Sequence, residues 1–370
     1  MAGKPLTASS RACELHPTTD SAVWMRLREA GMVLLGHLHT HEWAAGGSTD
    51  QVGNPWNTTH TAGGSSGGSA AALAARTVPV ATGSDTAGSL RIPSAICGTS
   101  AMKPTRGLVP LDGILPLAWS LDHAGPMART LRDCQPVLDA MLGRPPARGA
   151  LASAATSLAG ITLAVSPRLT EVKTDDEVLR SFDASVAVAR GLGATIVEAP
   201  PPSGDLEVAE LFFAILGTDM LAFHRRYDAV RTQYRASTQE LLAFTEEHAM
   251  SLEGYGQAQL ARLEVTARWE HWFREHQLDA VLEPTVVFTA PPRGQGYDRF
   301  VIPDPFTLLA HFWDWTGFPV ASLPCGLGDA SGMPIGLSVV GPGHTDLRTL
   351  GIAMTIQEVL PPPVVPFDGP

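Results

Sequence analysis

Two serines set in glycine-rich turns are the residues best placed to do chemistry. Ser65 lies in Gly63-Gly64-Ser65-Ser66-Gly67-Gly68-Ser69. Ser89 lies in Gly83-Ser84-Asp85-Thr86-Ala87-Gly88-Ser89-Leu90-Arg91. The glycines of the first turn open backbone angles that other residues avoid. The small residues of the second let a substrate carbonyl come close to the backbone. Consecutive N–H groups there could form an oxyanion hole for an acyl carbon attacked by serine. The plain alternative is a pair of packing corners or a flexible linker. A linker fits poorly, because the stretch between the turns is apolar and helix-prone rather than polar.

The elements that would hold these turns are legible around them. Ser69–Ala75 reads as a helix with a serine cap at hand. Val78–Thr82 reads as a short buried strand. Upstream, Val23–Ala30 reads as a helix ended by Gly31, and Met32–Leu35 as a short buried strand. Gly113–Pro126 reads as loop and short turns, Leu131–Leu142 as a helix, and residues 144–149 as a linker or surface loop. Beyond it come a strand (Ile161–Val165), a helix (Asp175–Leu192), a strand (Ala194–Glu198) and three helices within Val208–Glu275. A strand (Asp279–Leu282), a hairpin of Pro319–Pro324 with Pro334–Val340, and a helix (Asp346–Val359) complete the chain. Helices alternating with strands indicate an α/β fold.

Composition narrows the classes. A chain of 370 residues, 44% hydrophobic, can bury a large core. A net charge of −11 argues against a nucleic-acid surface. No stretch is long and apolar enough to span a membrane, and no signal peptide opens the chain. Cys13, Cys97, Cys134 and Cys325 are widely spaced with no CxxC pair, so a disulfide framework or zinc site is not expected. A cytoplasmic location is the default expectation. So is a monomer or homodimer, without nucleic-acid or membrane partners.

The two serine turns resemble those of the amidase signature family, whose hallmark is a Ser–cis-Ser–Lys triad. The resemblance continues through Ile92-Pro93-Ser94-Ala95-Ile96-Cys97-Gly98, Met102-Lys103-Pro104-Thr105-Arg106-Gly107 and Ser120–Arg129. It is weaker at Asp279–Thr285, Thr316–Pro319 and Gly336–Pro342. It implies a central mixed β-sheet covered by helices on both faces, in a single domain over 1–370 with a signature half (1–143) and a substrate-side half (144–370). It implies hydrolysis of a small-molecule carboxamide through a serine acyl-enzyme, with no cofactor. Carried over, Ser89 is the nucleophile and Ser65 the relay serine. The N–H groups of Thr86, Ala87, Gly88 and Ser89 are the oxyanion hole, and Asp85 and Arg91 brace the loop. Ala87 stands where the family usually has glycine. Substrate choice is expected from the less family-like 208–275 stretch.

The third triad member is a lysine in a Lys-Asp-Asn-like segment before a Gly-x-Pro-x-Thr stretch. Here that later stretch is matched by Gly3-Lys4-Pro5-Leu6-Thr7, so the lysine is expected upstream of Met1. Of the three lysines present, Lys4 falls on a variable position, Lys103 reads as structural and Lys173 as surface. Two alternatives stay within the fold: a catalytically impaired form lacking its lysine, and an A-type amidotransferase subunit that produces ammonia.

A third alternative is a metal-dependent amidohydrolase. Gly36-His37-Leu38-His39-Thr40-His41 places three imidazoles at alternate positions of an extended backbone, where they could converge. Such a site also needs further ligands on later strands. The competing reading, that these histidines line or support the cleft, is favoured. Gly64-Ser65-Ser66-Gly67-Gly68 also fits a nucleophile elbow, but the preceding residues are polar and turn-rich instead of an apolar strand.

Overall fold

The computed structural model describes residues 1–49, 51–144, 156–202, 208–294 and 304–365. In chain order the elements are α1 (Ala22–Glu29), β1 (Gly53–Asn54), β2 (Asn57–Thr61), α2 (Gly67–Ala74), β3 (Val80–Asp85), α3 (Arg91–Cys97), β4 (Ser100–Lys103), β5 (His123–Ala128) and α4 (Leu131–Met141). There follow β6 (Thr162–Val165), α5 (Asp176–Gly191), β7 (Thr195–Val197), α6 (Val208–His224), α7 (Ala236–Glu247), α8 (Leu252–Glu275), β8 (Ala280–Pro284), α9 (His311–Thr316), β9 (Val320–Leu327), β10 (Pro334–Val340) and α10 (Asp346–Gln357).

Eight strands form one mixed sheet in the order β3-β5-β4-β9-β10-β8-β6-β7. The strands are antiparallel from β3 to β8, and β8, β6 and β7 run parallel. Alternation within the strands divides the core between two faces. Met102, Leu323, Leu337 and Val339 join the cluster built by α1, α4, α5 and α10. Ala101 and Met127 face the opposite cluster with α2. Val320 and Val340 turn toward α6, α8 and α9. Helices therefore cover both faces, as expected. The first half supplies β3, β4 and β5, and the second half supplies the rest of the sheet.

Several expectations shift. β3 runs to Asp85, so Gly83 and Ser84 are strand residues rather than turn, and β3 is an edge strand, half-buried instead of core. β5 begins inside the expected 113–126 loop and runs two residues past it. His-Ala-Gly-Pro-Met-Ala carries a proline and a glycine and no alternation, so its sequence hides a strand that is buried on both sides. Helix α2 begins two residues before Ser69, at Gly67. Residues 145–149 of the expected linker lie outside the described residues.

The largest correction concerns Met32–Leu35. It forms no strand. Val33 is 80% and Leu35 71% exposed. Met32 packs half-buried against the core, but Val33, Leu34 and Leu35 stay exposed despite their strand composition. Burial is a property of the neighbour, which a local pattern does not supply. This contrast is measurable. Leu337→Ala, in the core of β10, should lower the unfolding free energy by about 2–5 kcal/mol. Val33→Ser should leave it within about 0.5 kcal/mol. Urea denaturation of the two variants checks both.

Candidate active site

The two serine turns meet at the edge of the sheet. The Ser66 N–H donates to the Ser89 carbonyl at 3.3 Å, and the Ser66 hydroxyl donates to the Ser84 carbonyl at 3.3 Å. Gly83 permits this approach, since a Cβ there would stand 2.6 Å from Ser66 Oγ. The 39–41 segment holds the first turn from outside. The His41 N–H donates to the Ser65 carbonyl at 2.9 Å, and the Gly68 N–H to the His39 carbonyl at 3.0 Å. The Gly64–Ser65 peptide is cis. Ser65 is buried and its hydroxyl has no hydrogen-bond partner, whereas Ser89 keeps 7% of its surface.

The second turn is organised by one carboxylate. Asp85 Oδ1 accepts from the Gly88 N–H at 2.5 Å and from Arg91 Nη2 at 3.0 Å. Its Oδ2 accepts from the Leu90 N–H at 3.1 Å and from Arg91 Nε at 2.9 Å. Arg91 passes on to Asp314 Oδ2 at 2.5 Å and to the Ala310 carbonyl at 3.1 Å. Gly88 takes φ of 120°, which suits glycine, while Ala87 keeps a negative φ and fits without strain. Asp85 and Arg91 thus brace the loop. The Gly88 N–H, however, donates to Asp85. The N–H groups of Thr86, Ala87 and Ser89 have no acceptor among the described residues. The Thr86 hydroxyl donates to Asp122 Oδ1 at 2.6 Å. Burial pushes the Asp122 carboxyl up to about 7, against its bonds from Thr86, Ala118 and Leu117.

Sequence reasoning missed Asp122, His123 and Asp314 as parts of this network. His123 Nδ1 lies 3.3 Å from the Asp85 carbonyl and 3.3 Å from Asp314 Oδ1. Burial holds its imidazole well below the usual pKa. Asp314 had one signal, a lone carboxylate within the aromatic run His311-Phe312-Trp313-Asp314-Trp315.

The lysines and histidines are placed as follows. Lys103 is buried, and its ammonium donates to the Phe318 carbonyl at 2.7 Å and the Pro104 carbonyl at 3.4 Å. These bonds tie β4 to the 316–319 stretch, and none joins Lys103 to Ser65. Lys4 and Lys173 are exposed. His37 and His39 are exposed, while His41 is buried with Nδ1 3.1 Å from the Glu42 carbonyl and Nε2 3.5 Å from Ser237 Oγ. The three imidazoles do not converge. Among the described residues no group of three or more His, Cys, Asp or Glu side chains is placed to hold a metal. No described helix is long and apolar enough to cross a membrane.

A family model described as Amidase matches residues 1–350. The chain belongs to the amidase signature family. Among amidase signature relatives, the A-type subunit of glutamyl-tRNA(Gln) amidotransferase from Salinispora arenicola is 33% identical over 97% of this chain and 81% of its own length. That of Nocardia farcinica is 32% identical over 93% of this chain and 79% of its own. A crystal structure of an amidase matches with a TM-score of 0.86 at 27% identity, covering 98% of this chain and 82% of that one. The crystal structure of the same type of amidotransferase subunit from Thermotoga maritima matches at 0.81 and 26%, covering 99% and 84%. Cleavage of an amide C–N bond is the activity these amidase signature relatives have in common.

The buried ammonium gives a pH prediction. Burial pulls Lys103 down to about 8 from an ordinary 10.5. Below about pH 8 the folded and unfolded chains both hold the proton, and the whole cost of burying the charge is present. Between about pH 8 and 10.5 the unfolded chain binds more protons, so stability should rise with pH. Urea midpoints on either side of that window should show the rise, and Lys103→Met should remove its local component.

Proposed function

We propose that the protein hydrolyses a carboxamide through an acyl-enzyme on Ser89, with Ser65 relaying the proton. The observation that carries this reading is the stitched pair of turns. It sets a buried, unpartnered Ser65 hydroxyl one residue from the bond that holds the Ser89 carbonyl. An orphan buried hydroxyl costs free energy, and a use in proton relay accounts for its being kept. Ser89 Oγ would attack the amide carbon, the amine would leave with a proton passed through Ser65, and water would release the acid. The oxyanion would develop against the unclaimed N–H groups of Thr86, Ala87 and Ser89, each worth roughly 2.7–4 kcal/mol when well aimed. Asp85 acts as the positioning residue for this loop.

The described residues do not supply the base. A serine hydroxyl needs one to be a useful nucleophile. In this reading the base is a lysine amine beside Ser65, as the family triad implies. A second reading is favoured by the likeness to A-type amidotransferase chains. There the same cleavage would produce ammonia for an acceptor held by partner subunits. Glutamine hydrolysis that appears only with co-purifying chains would select it.

Ser89→Ala should abolish amide turnover in protein isolated from its native cells, and Ser65→Ala should lower it by about 10³-fold or more. A fluorophosphonate probe should label Ser89. Wild-type rates in either variant, or labelling elsewhere, would overturn the assignment.

A further inference from the structure

Helix α8 presents Ala258, Val265, Trp269, Trp272 and Phe273 to the core at helical spacing, and Arg262 stands in the same buried stripe. Arg262 keeps only 8% of its surface, and its Nε and Nη1 have no hydrogen-bond partner. A guanidinium withdrawn from water with unmade bonds is costly, and an anion is what relieves it. The nearby acid favours the charged guanidinium from a distance but gives its Nε and Nη1 no hydrogen bond. Asp219 Oδ1 accepts from the Tyr255 hydroxyl at 2.8 Å, and Oδ2 accepts from the Ser120 N–H at 3.1 Å and hydroxyl at 2.6 Å. A second guanidinium adds to the positive field. Arg106 is pulled down to about 10, first by burial and then by Arg262. Its own donors are committed to the carbonyls of Asp314, Trp315 and Thr316.

We propose that Arg262, with Arg106 behind it, binds a carboxylate carried by the amide substrate. Hydrogen bonds connect this place to the turn that carries Ser89. Ser120 lies two residues before Asp122, which holds Thr86 of the nucleophile turn. Arg106 rests on the Asp314 carbonyl, whose side chain grips Arg91. Helices α6 and α8 belong to the 208–275 stretch, where substrate choice is expected. The inference rests on the proposed amide hydrolysis and narrows its substrates to amides bearing an anionic group.

The test compares succinamate with butyramide, which replaces the carboxylate by a methyl group. Binding to the Ser89→Ala protein is read by calorimetry, so turnover is not required. Succinamate should bind at least about 10-fold more tightly. Arg262→Met should bring that ratio close to 1, and Arg262→Lys should retain part of it, since an ammonium keeps the charge but loses the fork. The lysine variant keeps the test alive if the methionine variant does not fold. Equal affinities in the Ser89→Ala protein, a preference that survives Arg262→Met, or displacement of succinamate by equimolar inorganic phosphate would each overturn the proposal. An Arg262-dependent preference in a wild-type chain that hydrolyses neither amide would keep the subsite and remove the serine mechanism. Hydrolysis of both amides with equal kcat/KM would do the reverse.

Discussion

The Asp85 carboxylate is the constraint on which the site depends. It accepts four hydrogen bonds, two from backbone N–H groups of the turn it precedes and two from Arg91. Those bonds fix the turn that carries Ser89 between the end of an edge strand and the start of α3. Arg91 then links this turn to Asp314 on α9, more than 200 residues later. A buried ion pair of this kind is a poor source of net stability, because desolvation offsets attraction. Its value lies in position. Removing either partner would leave a buried charge unpaired, so the loop has one low-energy arrangement.

The same cluster shows how the interior treats charge. Lys103 and His123 share the buried region with Arg91, Asp85 and Asp314. Burial pushes both bases toward their neutral forms, which is the direction desolvation dictates. The two carboxylates and the permanently charged guanidinium carry the paired charges. Polar atoms left unpaired in such a setting stand out. The hydroxyl of Ser65 and the guanidinium of Arg262 are two of them. One lies in the turn before α2 and the other on α8, and both are donors that lack an acceptor.

The sheet supplies the rigidity behind this. Strands β4, β5, β9 and β10 are buried on both faces, and the helices that cover them come from both halves of the chain. β3 lies at one edge and β7 at the other, and the turn that carries Ser89 grows from the end of β3. The exposed Val33 and Leu35 belong to the same signature half.

The sequence by itself determined the chemistry-bearing turns. Gly63 and Gly88 are local requirements of backbone geometry, with positive φ, so their part of the pattern survives without tertiary information. It also determined most helices and strands, because periodicity is local. Tertiary structure decided what the pattern lacks. It buried β5 despite its proline and glycine, since pairing on both sides supplies what composition does not. It left Val33, Leu34 and Leu35 exposed, since burial needs a neighbour. It separated three histidines that alternate in sequence, and it turned the Gly88 N–H toward Asp85. It brought Asp314 to Arg91 and set Arg262 beside Arg106, because pairings across such distances are written in packing, not in spacing.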